Sequence, residues 1–223
     1  MINDSIESQT EAYAGYYQLA RCELLNLLGA VAPTRALEIG CGAGSNLVEL
    51  KRRWPHCITV GLELRPDAAA LARLSSEIDQ VQEVDVLNAS ANLFRKGEFD
   101  LIVLSHVLEH FAQPELVLAR AKMWLREGGR MLVALPNVRH VSVLWDLVLK
   151  GEFRYRSSGI LDQTHLRFYT RRSAVRFLGE NGLLVKLAAA EFGGNKSKLL
   201  NRLSLGAGAD LAAYAYNFLV EKE

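Results

Sequence analysis

The sequence is poor in cysteine and in net charge, and it lacks a long apolar run. Its 223 residues include only three cysteines, Cys22, Cys41 and Cys57, which form no C-x-x-C pair. An odd number of cysteines without a basic, apolar leader favours a reducing, cytoplasmic compartment. No apolar run approaches the roughly 20 residues that a membrane-spanning helix needs, so we expect no transmembrane segment. These absences exclude a disulfide scaffold and an integral membrane protein.

The charges of the whole chain nearly cancel. It has 26 Lys and Arg against 25 Asp and Glu, a net charge of +1. Because this balance gives no whole-surface attraction to polyanions, we expect no nucleic-acid partner. Apolar residues make up 50% of the chain and charged residues 23%, which is ordinary for a globular protein and excludes disorder. The length suits a single domain spanning residues 1–223.

Apolar, β-branched runs alternate with helical patterns along the chain, which predicts an α/β fold around a parallel sheet. The predicted strands cover residues 35–39, 58–63, 81–84, 99–104, 130–135, 183–192 and 212–220. Within the domain we expect a helical cap (1–30), a cofactor-binding core (31–136), a substrate lid (137–170) and a C-terminal helix with strands (171–223).

A glycine loop, Gly40–Gly44, lies between the first predicted strand and a helix. Glycine lets backbone N–H groups approach a ligand closely, because it has no Cβ. The pattern is G-x-G-x-G, and Ser45 stands where the dinucleotide fingerprint has its third glycine. Glu63 and Asp85 end the next two strands, where carboxylates can accept hydrogen bonds from a ribose and an adenine amine. Glu38, just before the loop, favours a positively charged ligand over a diphosphate.

Together with Val60–Glu63, Phe99–Ser105 and Leu108–His110, these residues resemble the motifs of class I S-adenosylmethionine (SAM)-dependent methyltransferases. The ordered combination extends over roughly residues 10–190 and is more specific than any single motif. The resemblance implies a Rossmann-like, doubly wound sheet of seven strands, mostly parallel with an antiparallel last strand. It also implies SAM as the cofactor and S-adenosylhomocysteine as the product. The implied cofactor-binding residues are Gly40, Cys41, Gly42, Glu63, Leu64, Asp85, Val86, Ser105, Arg21 and Tyr17.

Each of these residues has an implied place. Gly40, Cys41 and Gly42 would line the methionine part of the cofactor. Glu63 would bind the ribose, Leu64 would flank the adenine, and Asp85 with Val86 would hold its edge. Ser105 and His106 would face the sulfonium. Arg21 matches an arginine that grips the methionine carboxylate in related quinone O-methyltransferases, with Tyr17 one turn away; the alternative is a solvated helix charge.

The segment His106–His110 also matches the zinc-binding pattern H-x-x-E-H. Its two histidines could share a helix face and bind Zn²⁺ with Glu109. However, the match follows a buried strand, where open α/β sheets present ligand contacts, and no dedicated third ligand is evident downstream. We therefore expect no metal, and we interpret Glu109 and His110 as residues that hold the start of a helix.

Residues 137–176 hold eight Lys or Arg against three acids, a net charge of +5, which leaves −4 for the rest of the chain. The basic residues alternate with aromatic ones, and the segment follows the fifth strand. It is therefore placed to cover the cofactor and to attract an anionic acceptor. The alternative for any single arginine is a solvated surface position.

Gly159–Thr170 resembles the G-L-L-D-x-T-H-L-R-F-[FY]-T segment of bacterial methyltransferases associated with glycan and cell-surface assembly. We expect His165 to be the general base for a hydroxyl acceptor, with His106 as the second candidate and Asp162 orienting His165. The alternative for His165 is a structural hydrogen bond that pins the lid. The expected substrate-binding residues are Tyr169, Arg167, Trp145 and His110.

The sequence thus predicts a SAM-dependent O-methyltransferase that acts on a small molecule or on a glycan or lipid-linked acceptor. The N-P-P-[YF] tetrapeptide of base N-methyltransferases is absent after the fourth strand, where Ser105–Leu108 stand, which favours oxygen acceptors. One alternative is an NAD-dependent oxidoreductase or epimerase, against which Glu38 and the missing third glycine count. The others are a non-catalytic cofactor-binding module and an RNA methyltransferase, which the balanced charge disfavours.

Overall fold

A seven-stranded sheet organises the protein. The computed structural model describes residues 20–90, 92–193 and 208–223. The strands are β1 Arg35–Ile39, β2 Ile58–Glu63, β3 Gln80–Glu83, β4 Phe99–Ser105, β5 Leu125–Pro136, β6 Leu183–Glu191 and β7 Ala215–Lys222. Their order in the sheet is β3-β2-β1-β4-β5-β7-β6. Strands β1 to β5 pair in parallel, and β7 runs antiparallel to both β5 and β6. This confirms the predicted doubly wound α/β fold with an antiparallel last strand.

Helices join β1 to β2, β2 to β3 and β4 to β5 in crossover connections of the kind that parallel pairing requires, and others flank the sheet. They are α1 Cys22–Leu25, α2 Ser45–Arg53, α3 Pro66–Arg73, α4 Pro114–Trp124, α5 Val141–Leu149, α6 Arg171–Glu180 and α7 Ala209–Ala212, with 3-10 turns at Asn26–Leu28 and Leu108–His110. A proline at the first turn begins α3 and α4, where its missing N–H has no partner to lose. A capping box between Thr170 and Ser173 begins α6. Helix α5 lies within residues 137–170, the segment predicted to be a lid.

The core lies on both faces of the sheet. In β4, Leu101 belongs to the buried cluster that contains Leu47 of α2. Its neighbour Ile102 belongs to the cluster on the opposite face, which contains Trp124 of α4. All four side chains are fully buried. Because successive strand residues point to opposite faces, a strand covered on both sides reads as a continuous apolar run.

Two strands, β5 and β7, begin more than one residue away from the predicted start. β5 begins at Leu125 because the chain continues through a glycine-rich irregularity, with Gly128 at φ +70°, before the regular register resumes at Arg130. β7 begins at Ala215 because the preceding residues form α7. The side-chain amide of Asn137 donates to the carbonyls of Asp210 and Ala213 at 2.7 and 2.8 Å and thereby holds this helix.

In the described part of the chain, no helix is long and apolar enough to cross a membrane. Most of the expected helical cap, including Tyr17, lies outside the described residues.

Candidate active site at the carboxyl edge of the sheet

The glycine loop lies where the strand order reverses, between β1 and β4. Gly40 and Gly44 have φ values of +69° and +84°. A residue with a side chain adopts this backbone conformation only with strain. A Cβ on Gly40 would lie 2.7 Å from Cγ2 of Val107, and one on Gly44 would lie 2.2 Å from Cδ1 of Ile78. The Gly40 N–H donates to the Leu62 carbonyl at 2.8 Å. The loop is therefore fixed against the ends of β2 and β4, at the switch point where open α/β sheets bind ligands.

Glu63, the last residue of β2, faces this loop. One of its carboxylate oxygens accepts from the N–H of Gly42 at 2.7 Å, and the other accepts from the N–H of Arg65 at 2.9 Å. Its side chain is buried. The structure thus brings together two of the predicted cofactor-binding elements, and it fixes the orientation of the carboxylate that is expected to meet a ribose.

Asp85 follows β3 at the same edge of the sheet. One carboxylate oxygen accepts from the Leu87 N–H at 2.8 Å, which closes an Asx turn and holds the group in place. The neighbouring Val86 is buried, whereas Leu64 after β2 is 63% exposed. Val86 and Leu64 therefore present one buried and one open apolar side chain near the two acids.

Glu38 lies inside β1 and is only 1% exposed. The Asn46 side-chain amide donates to its Oε1 at 2.7 Å, and Oε2 has no hydrogen-bond partner among the described residues. Burial raises the pKa of Glu38 to about 8, although the Asn46 hydrogen bond opposes the rise and the nearby Glu63 charge adds to it. A buried acid in this state favours a ligand with positive charge, since such a ligand would stabilise its ionised form.

Arg21 precedes α1 and lies near the C-terminal end of β6. Its backbone N–H donates to the side-chain oxygen of Asn46 at 2.7 Å, so the chain before α1 is tied to the residue that binds Glu38. Its guanidinium lies 3.4 Å from the carboxylate of Glu191. The Asn217 amide donates to the same carboxylate at 3.1 Å.

His106 follows Ser105 at the carboxyl end of β4, and Ser105 is half-buried there. His106 has a φ of +56° and is the one non-glycine residue in the left-handed region among the described residues. Such a conformation costs on the order of 1–3 kcal/mol and is concentrated at functional sites. Its Nδ1 lies 3.3 Å from Oε1 of Glu109, and its Nε2 is buried with no hydrogen-bond partner in the described structure.

A cluster of Glu109, His110 and His165 lies next to His106. Each residue offers one ligand atom, and the three atoms lie within 4.8 Å of one another. Glu109 is fully buried, and neither of its carboxylate oxygens has a hydrogen-bond partner in the described structure. The lid reaches this point because the N–H groups of Leu166 and Arg167 donate to the Glu109 carbonyl at 2.8 and 3.0 Å. Sequence reasoning missed the cluster, since it found no third residue to accompany the H-x-x-E-H pattern.

The hydrogen bonds of the lid differ from the expected ones. Nδ1 of His165 lies 3.0 Å from the Ile160 carbonyl, rather than against the Asp162 carboxylate. Asp162 instead accepts from the Thr164 hydroxyl at 2.6 Å, and that hydroxyl lies 3.0 Å from Nδ1 of His110. Asp162 therefore orients His110 through Thr164, and a backbone carbonyl orients His165. Burial lowers the pKa of His165, so its ring is neutral.

The other predicted substrate-binding residues separate. Tyr169 is buried against Phe177, with ring centroids 5.5 Å apart, and burial raises its pKa to about 12. Nε of Arg167 donates to the Ala112 carbonyl at 3.1 Å, which ties the lid to the loop before α4. Trp145 on α5 is 57% exposed. The structure thus brings His110 to the buried cluster, places Tyr169 in the core and leaves Trp145 open to solvent.

Comparisons with known proteins agree with this geometry. The profile of a methyltransferase domain family matches residues 13–186. The malonyl-[acyl-carrier protein] O-methyltransferase of Herminiimonas arsenicoxydans is 30% identical over 131 residues, which are 56% of this chain and 46% of that protein. The ubiquinone biosynthesis O-methyltransferase of Aeromonas salmonicida is 25% identical over 196 residues, 86% of this chain and 77% of the relative.

Solved structures share the fold. A SAM-dependent methyltransferase from Thermotoga maritima superposes with a TM-score of 0.67 at 16% identity, over 98% of this chain and 97% of that one. At this identity the likeness concerns the arrangement of strands and helices. The chain spans about half the length of the malonyl-[acyl-carrier protein] relative that it matches.

Proposed function

We propose that this chain, which belongs to the methyltransferase domain family, transfers a methyl group to an oxygen atom of a small molecule or of a glycan or lipid-linked acceptor. As a member of that family it is a SAM-dependent methyltransferase. The choice of oxygen is supported by two of the curated relatives, which are named as O-methyltransferases of ubiquinone biosynthesis and of malonyl-[acyl-carrier protein]. It is also supported by the sequence Ser105–Leu108, which lacks the tetrapeptide of base N-methyltransferases.

The acids around the glycine loop suit the cofactor. SAM carries a sulfonium and an ammonium, and when bound it supplies an electrophilic methyl group. Glu63, fixed by two backbone N–H groups, would hold the ribose hydroxyls. Asp85 would accept from the adenine amine, and the partnerless oxygen of Glu38 would favour the positive charges. Three carboxylates, which accept hydrogen bonds and carry negative charge when ionised, match a cationic nucleoside and disfavour a dinucleotide with a diphosphate.

The conformation and burial of His106 support the proposal most directly. A hydroxyl acceptor needs a base that removes its proton as the new bond to carbon forms, and such a base contributes about 10²–10⁴-fold. His106 stands directly after β4 in a left-handed conformation, with a buried, unpartnered Nε2. Its Nδ1 faces the Glu109 carboxylate at 3.3 Å, which would stabilise the ring after it takes the proton. We therefore assign the base to His106 ahead of His165, whose ring is anchored to a lid carbonyl.

Positioning is the larger part of the catalysis. Holding an acceptor oxygen in line with the methyl group can supply about 7–11 kcal/mol. The lid over residues 137–170 is tied to the Glu109 carbonyl and to Ala112, so it lies where it would cover an acceptor beside His106. Closure of this kind excludes water from the reacting atoms.

Activity screening tests the proposal. Purified protein is incubated with methyl-labelled SAM and with sugar, uronate, quinone and lipid-linked acceptors, and the atom that receives the label is identified by NMR. We expect label on oxygen, and we expect His106→Ala to lower turnover by about 10²-fold or more while the affinity for SAM stays unchanged. Label on nitrogen or carbon, or a His106→Ala variant with unchanged turnover, would contradict the proposal.

A further inference from the structure

We propose that Glu109, His110 and His165 bind a divalent transition-metal ion that also contacts the acceptor. The site itself is argued from the geometry alone, and only the contact with the acceptor rests on the proposed function. One carboxylate and two imidazoles form a mixed oxygen and nitrogen ligand set. Their ligand atoms already lie within 4.8 Å of one another, and the two histidine ring centroids are 4.8 Å apart.

Both histidines are held in the tautomer that a metal ligand needs. The Ile160 carbonyl can only accept a hydrogen bond, so Nδ1 of His165 carries the proton. The Thr164 hydroxyl gives its proton to Asp162, so it accepts from Nδ1 of His110. With the proton on Nδ1, Nε2 is the ring atom left to bind a metal in each histidine. A ring N–H held by a carbonyl or by a hydroxyl–carboxylate pair is the usual outer shell of metal-binding histidines.

The third ligand, Glu109, makes no hydrogen bond through its carboxylate in the described structure. Its carboxylate is fully buried, and both oxygens are without hydrogen-bond partners in the described structure. The remaining titratable group against it is His106, whose Nδ1 lies 3.3 Å from Oε1. A buried carboxylate without hydrogen bonds is unfavourable, and a divalent cation bound to it would compensate its charge.

The ligand types select the metal class. Imidazole suits Zn²⁺, Cu²⁺, Fe²⁺ and Ni²⁺, whereas Mg²⁺ prefers oxygen ligands throughout. Metal–nitrogen distances of about 2.0–2.1 Å require the ligand atoms to approach by roughly an ångström. His110 can make this movement because its side chain is at the exposed side of the cluster.

Three protein ligands leave open positions on the metal. An acceptor hydroxyl bound there would lose its proton more readily, because the metal lowers its pKa. His106, whose Nδ1 lies 3.3 Å from Glu109, would receive that proton at its unpartnered Nε2. An acceptor with two adjacent oxygen atoms, such as a vicinal diol, a catechol or a 2-hydroxy acid, fits a metal with two open positions. This narrows the acceptor class beyond a simple hydroxyl.

Metal binding is tested on the full chain without a histidine tag. The protein is stripped with a chelator and titrated with Co²⁺ and Zn²⁺, followed by visible absorption and by calorimetry. We expect one equivalent of Co²⁺ to bind and to give ligand-field bands of a nitrogen- and oxygen-bound ion. His110→Ala should weaken binding at least about tenfold, and so should Glu109→Gln. His56→Ala, at an exposed histidine outside the cluster, is the matched control and should bind as the wild type does.

An exposed second residue keeps the test independent of folding. Thr164→Val should weaken binding by about 10–100-fold, because it removes the acceptor that fixes His110, and Thr164→Ser should restore it. Equal affinities of wild type and His110→Ala would overturn the site. Metal binding with methyl transfer that persists unchanged in the chelator would overturn the contact with the acceptor. A protein that binds Co²⁺ yet methylates none of the acceptors would refute the proposed function and leave the site standing.

Discussion

The buried acid Glu38 should make the ligand-free protein less stable as the pH rises. Its pKa is raised by burial to about 8, from 4.5 in a free chain. Below pH 4.5 the group is protonated in both states and costs nothing. As the pH rises from 4.5 to 8, the unfolded chain loses the proton first, so folding stability falls throughout that window and levels off above it. We expect Glu38→Gln, which keeps the shape of the side chain and the bond from Asn46, to remove this loss.

The magnitude follows from the two pKa values. At about 1.4 kcal/mol for each tenfold change in the ionisation constant, the full cost approaches about 5 kcal/mol above pH 8. About 2 kcal/mol of it is already present at pH 6, so the stability difference between Glu38→Gln and the wild type should grow by about 3 kcal/mol from pH 6 to pH 9.

Urea unfolding at a series of pH values measures this difference directly. Both proteins are followed without cofactor, and Glu115→Gln, at an exposed acid, serves as the matched control. The free energy of unfolding of that control should follow the wild-type curve. If the wild type and Glu38→Gln give parallel curves between pH 6 and pH 9, Glu38 is not held protonated by burial, and the argument for its preference for a cation fails.

The remaining predictions concern the same edge of the sheet. SAM binding near pH 7 should release up to about one proton, since a cation favours ionised Glu38; calorimetry in buffers of different ionisation enthalpy measures this, and zero release would contradict it. His106→Gly should be more stable than His106→Ala by about 1 kcal/mol in urea, because glycine tolerates a φ of +56°; equal stabilities would show that the turn is not strained. Gly44→Ala should destabilise more than Gly151→Ala, because its Cβ meets Ile78 at 2.2 Å whereas nothing lies within 4 Å at Gly151; thermal unfolding compares them, and equal losses would contradict the packing argument.

Much of the fold could be predicted because local and global signals agree along the first half of the chain. The apolar run of β4 is buried on both faces, and Pro66 begins a helix where a helix is needed. The start of β5 could not be predicted, since Gly128 and Gly129 are typical of a turn and their pairing with β4 depends on the register of the neighbouring strand. The start of β7 could not be predicted either, because Asn137 holds α7 before it through a contact between distant parts of the chain.

Some residues of the site could likewise be predicted from the sequence, and others could not. Glu63 and Asp85 could be predicted because each ends a parallel strand, and such ends share one edge of the sheet. The Glu109, His110 and His165 cluster could not, because Thr164 and His110 are 54 residues apart and meet through lid hydrogen bonds that leave no periodic pattern. The signal was present in two separate motifs, H-x-x-E-H and the segment around His165. They are joined by the carbonyl of Glu109, which accepts from two lid N–H groups, and by the contact between Thr164 and His110.

The two buried acids give the site a common electrostatic logic. Glu38 and Glu109 each leave carboxylate oxygens buried and unpartnered in the described structure, and each therefore lowers the stability of the protein until a cation compensates it. Glu38 lies within β1 and Glu109 lies after β4, so they favour two separate positive charges rather than one. A cationic cofactor would compensate Glu38, and the proposed divalent metal would compensate Glu109. His106 lies between the two acids along the chain contacts: its ring lies against Glu109, and the next residue, Val107, packs against Gly40 of the glycine loop. A methyl acceptor that binds the metal would thus be brought to the base and to the methyl donor by the same short turn after β4.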